Sequence, residues 1–236
     1  MPSFWSLISN GDHIVGCTGQ SVYVYSADKV QLACFKDLKY AYTAAFSPRG
    51  DIFVVKTTDG RLGVYSLKTM SLIKKFRFSK VDGSQDDNFC FSADGELFYN
   101  IERHGESYIS VLSVYRTDDF SLCGRYLDYD DDLCPEVIER GNDGFYYILG
   151  FERPDAERCT KWDDLRWFVA RFSGGELLDR QYITDKEHEF YYWYKEVEAG
   201  GFTEKLIRLS PVEFFDIESL KEKKFTLEGL WKHYNM

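Results

Sequence analysis

Methionine is nearly missing from this chain, with 3 residues, and proline is sparse, with 5. More telling are the larger absences. No apolar stretch approaches the about 18 residues that a membrane-spanning helix requires, so no membrane partner is expected. Residues Met1 to His13 lack a basic stretch followed by an apolar run, which removes the secretory pattern and makes a reducing cytoplasm the expected location. Six cysteines are present, at 17, 34, 90, 123, 134 and 159, yet none forms a Cys-x-x-Cys pair. Without such a pair, or a histidine cluster at ligand spacing, no structural zinc is expected and no metal or other cofactor is called for. Basic surplus is absent too: the net charge is -10, and nucleic-acid binding needs lysine and arginine to neutralise phosphates. The run Lys221, Lys223 and Lys224 is offset by Glu222 and Glu228.

Catalytic patterns are equally scarce. No Gly-x-Ser-x-Gly elbow exists, and the four histidines at 13, 104, 188 and 233 fit no metalloprotease or phosphate-loop spacing. These absences favour a non-enzyme and leave the question of catalysis open.

What is present is aromatic and repetitive. Nineteen phenylalanines and seventeen tyrosines in 236 residues favour pleated sheet, where flat and β-branched side chains pack well. One segment runs Phe46-Ser47-Pro48-Arg49-Gly50-Asp51, then an apolar run, then Asp59-Gly60, then Leu62-Gly63-Val64-Tyr65-Ser66, closing on Ser71-Leu72-Ile73-Lys74-Lys75-Phe76. Pro48 and Gly50 mark a turn, and Asp59-Gly60 between apolar runs is a two-residue hairpin signal. The unit is four strands and three turns. A second copy carries Phe91-Ser92-Ala93-Asp94-Gly95, Val114-Tyr115 and Leu122 to Tyr126; an earlier one carries Asn10-Gly11-Asp12, Val24-Tyr25 and Leu32 to Phe35. Gly11 to Gly50 is 39 residues and Gly50 to Gly95 is 45. Two weaker copies follow, with Asp143-Gly144, Trp167 to Ser173 and Glu176 to Tyr182, and then Lys205 to Leu209, Val212 to Ile217 and Lys223 to Leu227.

The order Phe-Ser-Pro-Arg-Gly-Asp, Thr-Asp-Gly-Arg, Val-Tyr-Ser resembles the blade of WD-repeat and related bacterial propeller proteins. That resemblance implies an all-β fold, a β-propeller of about five four-stranded antiparallel blades forming one domain over 1–236. The blades would fall near 1–39, 40–82, 83–132, 133–187 and 188–230, with a short tail in which Leu230 and Trp231 seal the ring. The Gly-His and Trp-Asp signature pairs are missing; Tyr25-Ser26, Tyr65-Ser66, Tyr115-Arg116, Phe172-Ser173 and Phe215-Asp216 stand in the second place.

Three segments are candidate sites. Residues 152–166 replace a two-residue turn with a long loop, and long loops on rigid scaffolds carry binding. Arg158, Trp162, Asp163, Asp164 and nearby Trp167 give it a composition suited to contact with another protein. Tyr191, Tyr192, Trp193 and Tyr194, within Glu189 to Glu196, read first as a buried innermost strand and second as an aromatic platform for sugar or peptide. The acidic stretches Asp86-Asp87 and Asp128 to Asp132 occupy equivalent connectors and would suit a basic partner. The expectation is a non-catalytic module that binds another protein. The competing one is a carbohydrate-binding or glycoside-hydrolysing propeller that uses those aromatics and channel carboxylates such as Glu136, Glu139, Glu196 or Glu198.

Overall fold

A computed structural model describes residues 2–78, 88–104, 109–127, 133–152, 165–198, 206–208, 214–216 and 226–233. The chain divides into two compact units, Met1–Tyr129 and Asp130–Met236.

The first unit is three consecutive four-stranded antiparallel sheets, each in simple strand order. Sheet one is β1 (Ser6–Ser9), β2 (His13–Cys17), β3 (Val22–Ser26) and β4 (Gln31–Phe35). Sheet two is β5 (Ala41–Phe46), β6 (Ile52–Thr57), β7 (Arg61–Ser66) and β8 (Ser71–Arg77). Sheet three is β9 (Phe89–Phe91), β10 (Leu97–His104), β11 (Ile109–Arg116) and β12 (Leu122–Tyr126). The turn glycines read from the sequence take the conformation that selects them: Gly11, Gly50 and Gly95 have φ of +96°, +72° and +70°.

Two further features repeat without any glycine to announce them. The turn from third to fourth strand ends on Lys29, Met70 and Phe120, all at positive φ. Three residues later the pairing slips by a β-bulge, opposite the step into Tyr25, Tyr65 and Tyr115 in turn. These are the positions at which the resemblance places the missing Trp-Asp pair. The bulge leaves Leu32 and Ile73 without a register partner on the outermost strands, 44% and 58% exposed.

Each sheet has two apolar faces, and the layers between sheets form the core. Val15, Cys17, Val22 and Val24 of sheet one meet Ala44, Phe53, Val55 and Tyr65 of sheet two. Phe53 stacks on Tyr65 with centroids 5.0 Å apart, and Phe35 from sheet one lies 4.6 Å from the Tyr65 ring. The opposite face of sheet two, with Ile52, Val54, Leu62 and Val64, packs on Phe89, Phe91, Phe98 and Tyr115 of sheet three. This second layer ends in buried polar groups. Lys56, fully buried, donates to Asn88 Oδ1 and to the Ile101 carbonyl at 2.8 Å, with its ammonium over the rings of Phe78 and Phe89. Buried Glu102 accepts from the Tyr115 hydroxyl and from Asn100 Nδ2.

The second unit opens with a fourth sheet of the same kind: β13 (Leu133–Arg140), β14 (Tyr146–Glu152), β15 (Arg166–Ser173) and β16 (Glu176–Tyr182). It repeats the turn glycine, Gly144 at φ +88°, and the bulge, here beside Phe172. Then the pattern changes. Residues read as an innermost strand, Glu189 to Glu196, belong instead to helix α1 (Asp185–Glu198). The physical reason is a capping box. Thr184 Oγ1 accepts from the Glu187 N–H, while the Glu187 carboxylate accepts from the Thr184 N–H at 2.8 Å. Of the expected fifth blade, the described residues supply only a two-stranded pair, β17 (Leu206–Arg208) with β18 (Phe214–Asp216), and helix α2 (Leu227–His233). Leu227 was expected to close a last strand; it begins α2, for which Thr226 Oγ1 caps the Gly229 N–H.

Both helices cover one face of the fourth sheet. Tyr191 from α1 and Leu227 and Leu230 from α2 pack with Tyr147, Leu149, Phe151, Trp167 and Val169. Glu139 on β13 ties both down, accepting from the Tyr191 hydroxyl at 2.7 Å and from the Leu227 N–H at 2.8 Å.

Two tyrosines at one repeat position give opposite expectations. Burial pushes the Tyr65 hydroxyl well above its ordinary pKa, and among the described residues that hydroxyl has no hydrogen-bond partner. Tyr115 is pushed up by burial and by Glu102, to which it donates. Tyr65→Phe is expected to raise stability by about 1 kcal/mol, and Tyr115→Phe to lower it by about 1 to 3 kcal/mol as a buried carboxylate loses its donor. Urea unfolding at constant m-value measures both.

Candidate functional site

The long loop's anchors are described, though most of the loop is not. Arg158, Trp162, Asp163 and Asp164 lie outside the described residues. The chain leaves β14 at Glu152 and re-enters β15 at Arg166, which face each other in register. Glu152 is the centre of a clamp. Its carboxylate pairs with Arg180, sits 3.7 Å from Arg166 Nη1, and accepts from the Tyr182 hydroxyl at 2.8 Å. The Arg166 guanidinium in turn covers the Tyr182 ring at 4.1 Å. The loop therefore springs from a braced base.

Trp167 is a correction. Rather than joining a contact surface, it is 7% exposed, packed edge-on to Phe151 and face to face with the His188 ring of α1. A tryptophan on the sheet face that receives α1 is core. The aromatic platform also needs correcting at Tyr191, which is 1% exposed and holds Glu139. The side chains of Tyr192, Trp193 and Tyr194 lie outside the described residues. Of the acids considered for the channel, Glu139 is engaged by both helices, and buried Glu136 lies 3.9 Å from His188 Nε2. These two carboxylates dock helices. The acidic stretches Asp86-Asp87 and Asp128 to Asp132 lie outside the described residues, as does Cys159. Cys17 is a buried hydrophobe whose thiol is pushed up to about 12 by burial, which leaves it unreactive.

Exposed aromatic chemistry does occur, in the first unit. Because each sheet is a simple meander, its second turn and its outgoing connector lie at the same end. At that end of sheets one and two, Trp5, Gly19, Tyr40, Ala41, Tyr42 and Thr58 line an apolar recess of about 230 Å³. Trp5 is 66% exposed and Tyr40 54% exposed, while Tyr42 is half-buried with its ring 6.4 Å from the indole. Large aromatics so open to water are unusual unless something covers them.

The backbone holds this arrangement under constraint. Tyr40 has φ of +62°, a conformation that costs a bulky residue about 1 to 2 kcal/mol. It is kept there from both sides. Its N–H donates to the Gly19 carbonyl at 2.5 Å, and its carbonyl accepts from the Thr58 N–H at 3.1 Å, tying sheet one's turn to sheet two's. Gly19 is itself at φ +80°, and a Cβ there would meet the Trp5 indole nitrogen at 3.2 Å. The positive φ and the close indole together favour glycine there. Strain maintained at an exposed aromatic is a pointer to function.

No family model matches the chain, and no curated protein does. Among solved structures it is similar to the hydrazine synthase of Kuenenia stuttgartiensis, with a TM-score of 0.59 at 15% identity. The match covers 78% of this chain and 50% of the other, so this chain spans about half the length of that protein. At such identity the likeness is one of fold, a succession of antiparallel sheets, and it assigns no chemistry.

Helix α2 offers a pH test. Glu228 accepts from the Asn142 N–H at 2.8 Å and pairs with Lys232, contacts that hold its carboxyl below the ordinary 4.5. A carboxyl so held stabilises the fold above its ordinary value, and the contribution fades as pH falls through the lower, folded value. Trp231, which packs on Tyr147 and under Arg171, reports the helix. Its fluorescence is expected to change on acidification below about pH 4.5 in wild type. In Glu228→Gln the helix should already be loosened at neutral pH and the acid-dependent step smaller.

Proposed function

We infer that this chain is a non-catalytic binding module that engages another protein, built on a WD-repeat-like propeller whose first four blades are the four sheets. A fifth blade and a closed ring belong to the same proposal. The observation that carries the reading is the aromatic recess at Trp5, Tyr40 and Tyr42, with Tyr40 kept exposed in a costly conformation. Exposed, rigid aromatics around an apolar hollow are the anchors that dominate protein–protein affinity. The loop of residues 152–166 supports the reading from the corresponding end of the fourth sheet, where its two ends are braced by Glu152. A basic partner suits the net charge of -10.

Exposed tryptophan and tyrosine also stack on sugar rings, so the carbohydrate-binding alternative moves from residues 191–194 to this recess. Glycoside hydrolysis does not move with it, since among the described residues no carboxylate lines the recess.

The readings separate by experiment. Tyr40→Gly removes the ring and relieves the strained φ, so thermal stability is expected to stay within about 1 kcal/mol of wild type. Affinity capture with wild type as bait should enrich one protein, which Tyr40→Gly and Trp5→Ala should each lose. Saturable retention on a glycan array, abolished by the same substitutions while capture from the same cells yields no enriched protein, would replace the first reading with the second.

A further inference from the structure

A different cavity opens at the other end of the first unit's sheets. Between sheets two and three, Ser47, Arg49, Asp51, Ile52, Val64, Ile73, Lys74 and the turn Thr117 to Phe120 enclose a cleft of about 490 Å³. That volume is within the range of small-ligand sites, roughly 300 to 1,000 Å³. Ile52, Val64 and Phe120 form a buried apolar floor. Ile73, thrown outward by the bulge in β8, makes the lip.

The charges around this floor are unequal in availability. Both cations are already held in place by the protein. Arg49 donates from Nε to the Asp94 carbonyl at 2.9 Å and from Nη2 to Glu96 at 3.1 Å. Lys74 donates to the carbonyls of Asp119 and Phe120. Asp51 has no side-chain hydrogen bond or ion pair among the described residues, and Asp118 accepts the Asp119 N–H and lies within hydrogen-bonding reach of the Asp119 carboxyl. Asp119 accepts the Ser121 N–H, and its carboxyl is held below the usual carboxylate range by the Ser121 hydroxyl and N–H. Asp51 stands on sheet two's turn and Asp118 on sheet three's, so carboxylates flank the floor from two sides.

We propose that this cleft binds a small organic ammonium ion, an alkyl- or arylamine whose apolar body rests on Ile52, Val64 and Phe120 while Asp51 and Asp118 take the charged head. An organic acid of the same shape is disfavoured, because its carboxylate would face the carboxylates of Asp51 and Asp118. The inference is independent of the partner-binding reading, since the two cavities share no residue.

The probe is 2-phenylethylammonium chloride titrated into the whole chain at low salt, followed by methyl NMR of Ile52, Val64 and Ile73. Saturable shifts of these methyls are expected, with 3-phenylpropionate producing none. Asp51→Asn and Asp118→Asn, both at exposed positions that should leave the fold intact, are each expected to weaken binding about threefold to fivefold. Tyr40→Gly, at the other cavity, should leave it unchanged. Equal binding of the carboxylate, indifference to both asparagine variants, or no saturable binding at millimolar amine overturns the proposal. So does binding of a lysine-containing peptide in place of the free amine.

Discussion

A short antiparallel sheet that is apolar on both faces cannot stand in water, and that requirement governs the first unit. Sheet two illustrates it. All six residues of β6 are buried, because Phe53 and Val55 serve the layer with sheet one while Ile52, Val54 and Lys56 serve the layer with sheet three. Alternation along one strand therefore fills two cores at once, and successive sheets are forced into a stack. The fourth sheet meets the same requirement by another route, since α1 and α2 cover the face bearing Tyr147, Leu149 and Trp167.

Lys56 is the exception that specifies this stacking. An apolar residue there would pack equally well in several registers, whereas an ammonium removed from water must find acceptors. It finds them on the opposite sheet, at Asn88 and the Ile101 carbonyl. Sheet three is thereby held at one position along sheet two, and the clefts and turns at both ends inherit that alignment. The recess at Trp5 and Tyr40 depends on a similar tie between sheets one and two, made by backbone alone.

The first three sheets were legible because their turns need residues that sequence displays. Gly11, Gly50 and Gly95 mark backbone that other side chains resist, and the strands between them carry the expected apolar runs. The helix α1 was hidden by its aromatics, since Phe190 to Tyr194 suits a buried strand as well as a helix. The legible sign was Thr184 followed three residues later by Glu187, which makes the capping box. The aromatic recess left no sequence signal. Its members sit at 5, 19, 40, 42 and 58, on separate segments, and nothing in Lys39-Tyr40-Ala41 announces a positive φ. Trp167 was misassigned because proximity to a loop says nothing about which sheet face a side chain takes. The Lys56 tie was equally illegible, being a contact between residues 32 and 45 positions apart.

The recurring bulge on the outermost strands has a consequence for the protein among its own copies. Among the described residues each sheet ends on an open strand, β4, β8, β12 or β16, and the edge groups of such a strand are a template for strands of another molecule. A regular edge would invite end-to-end association into fibrils. By inserting an extra residue at the same place in all four sheets, the chain bends every such edge and breaks its hydrogen-bonding rhythm. The feature that exposes Leu32 and Ile73 thus also disfavours edge-to-edge pairing of a β-rich, aromatic protein.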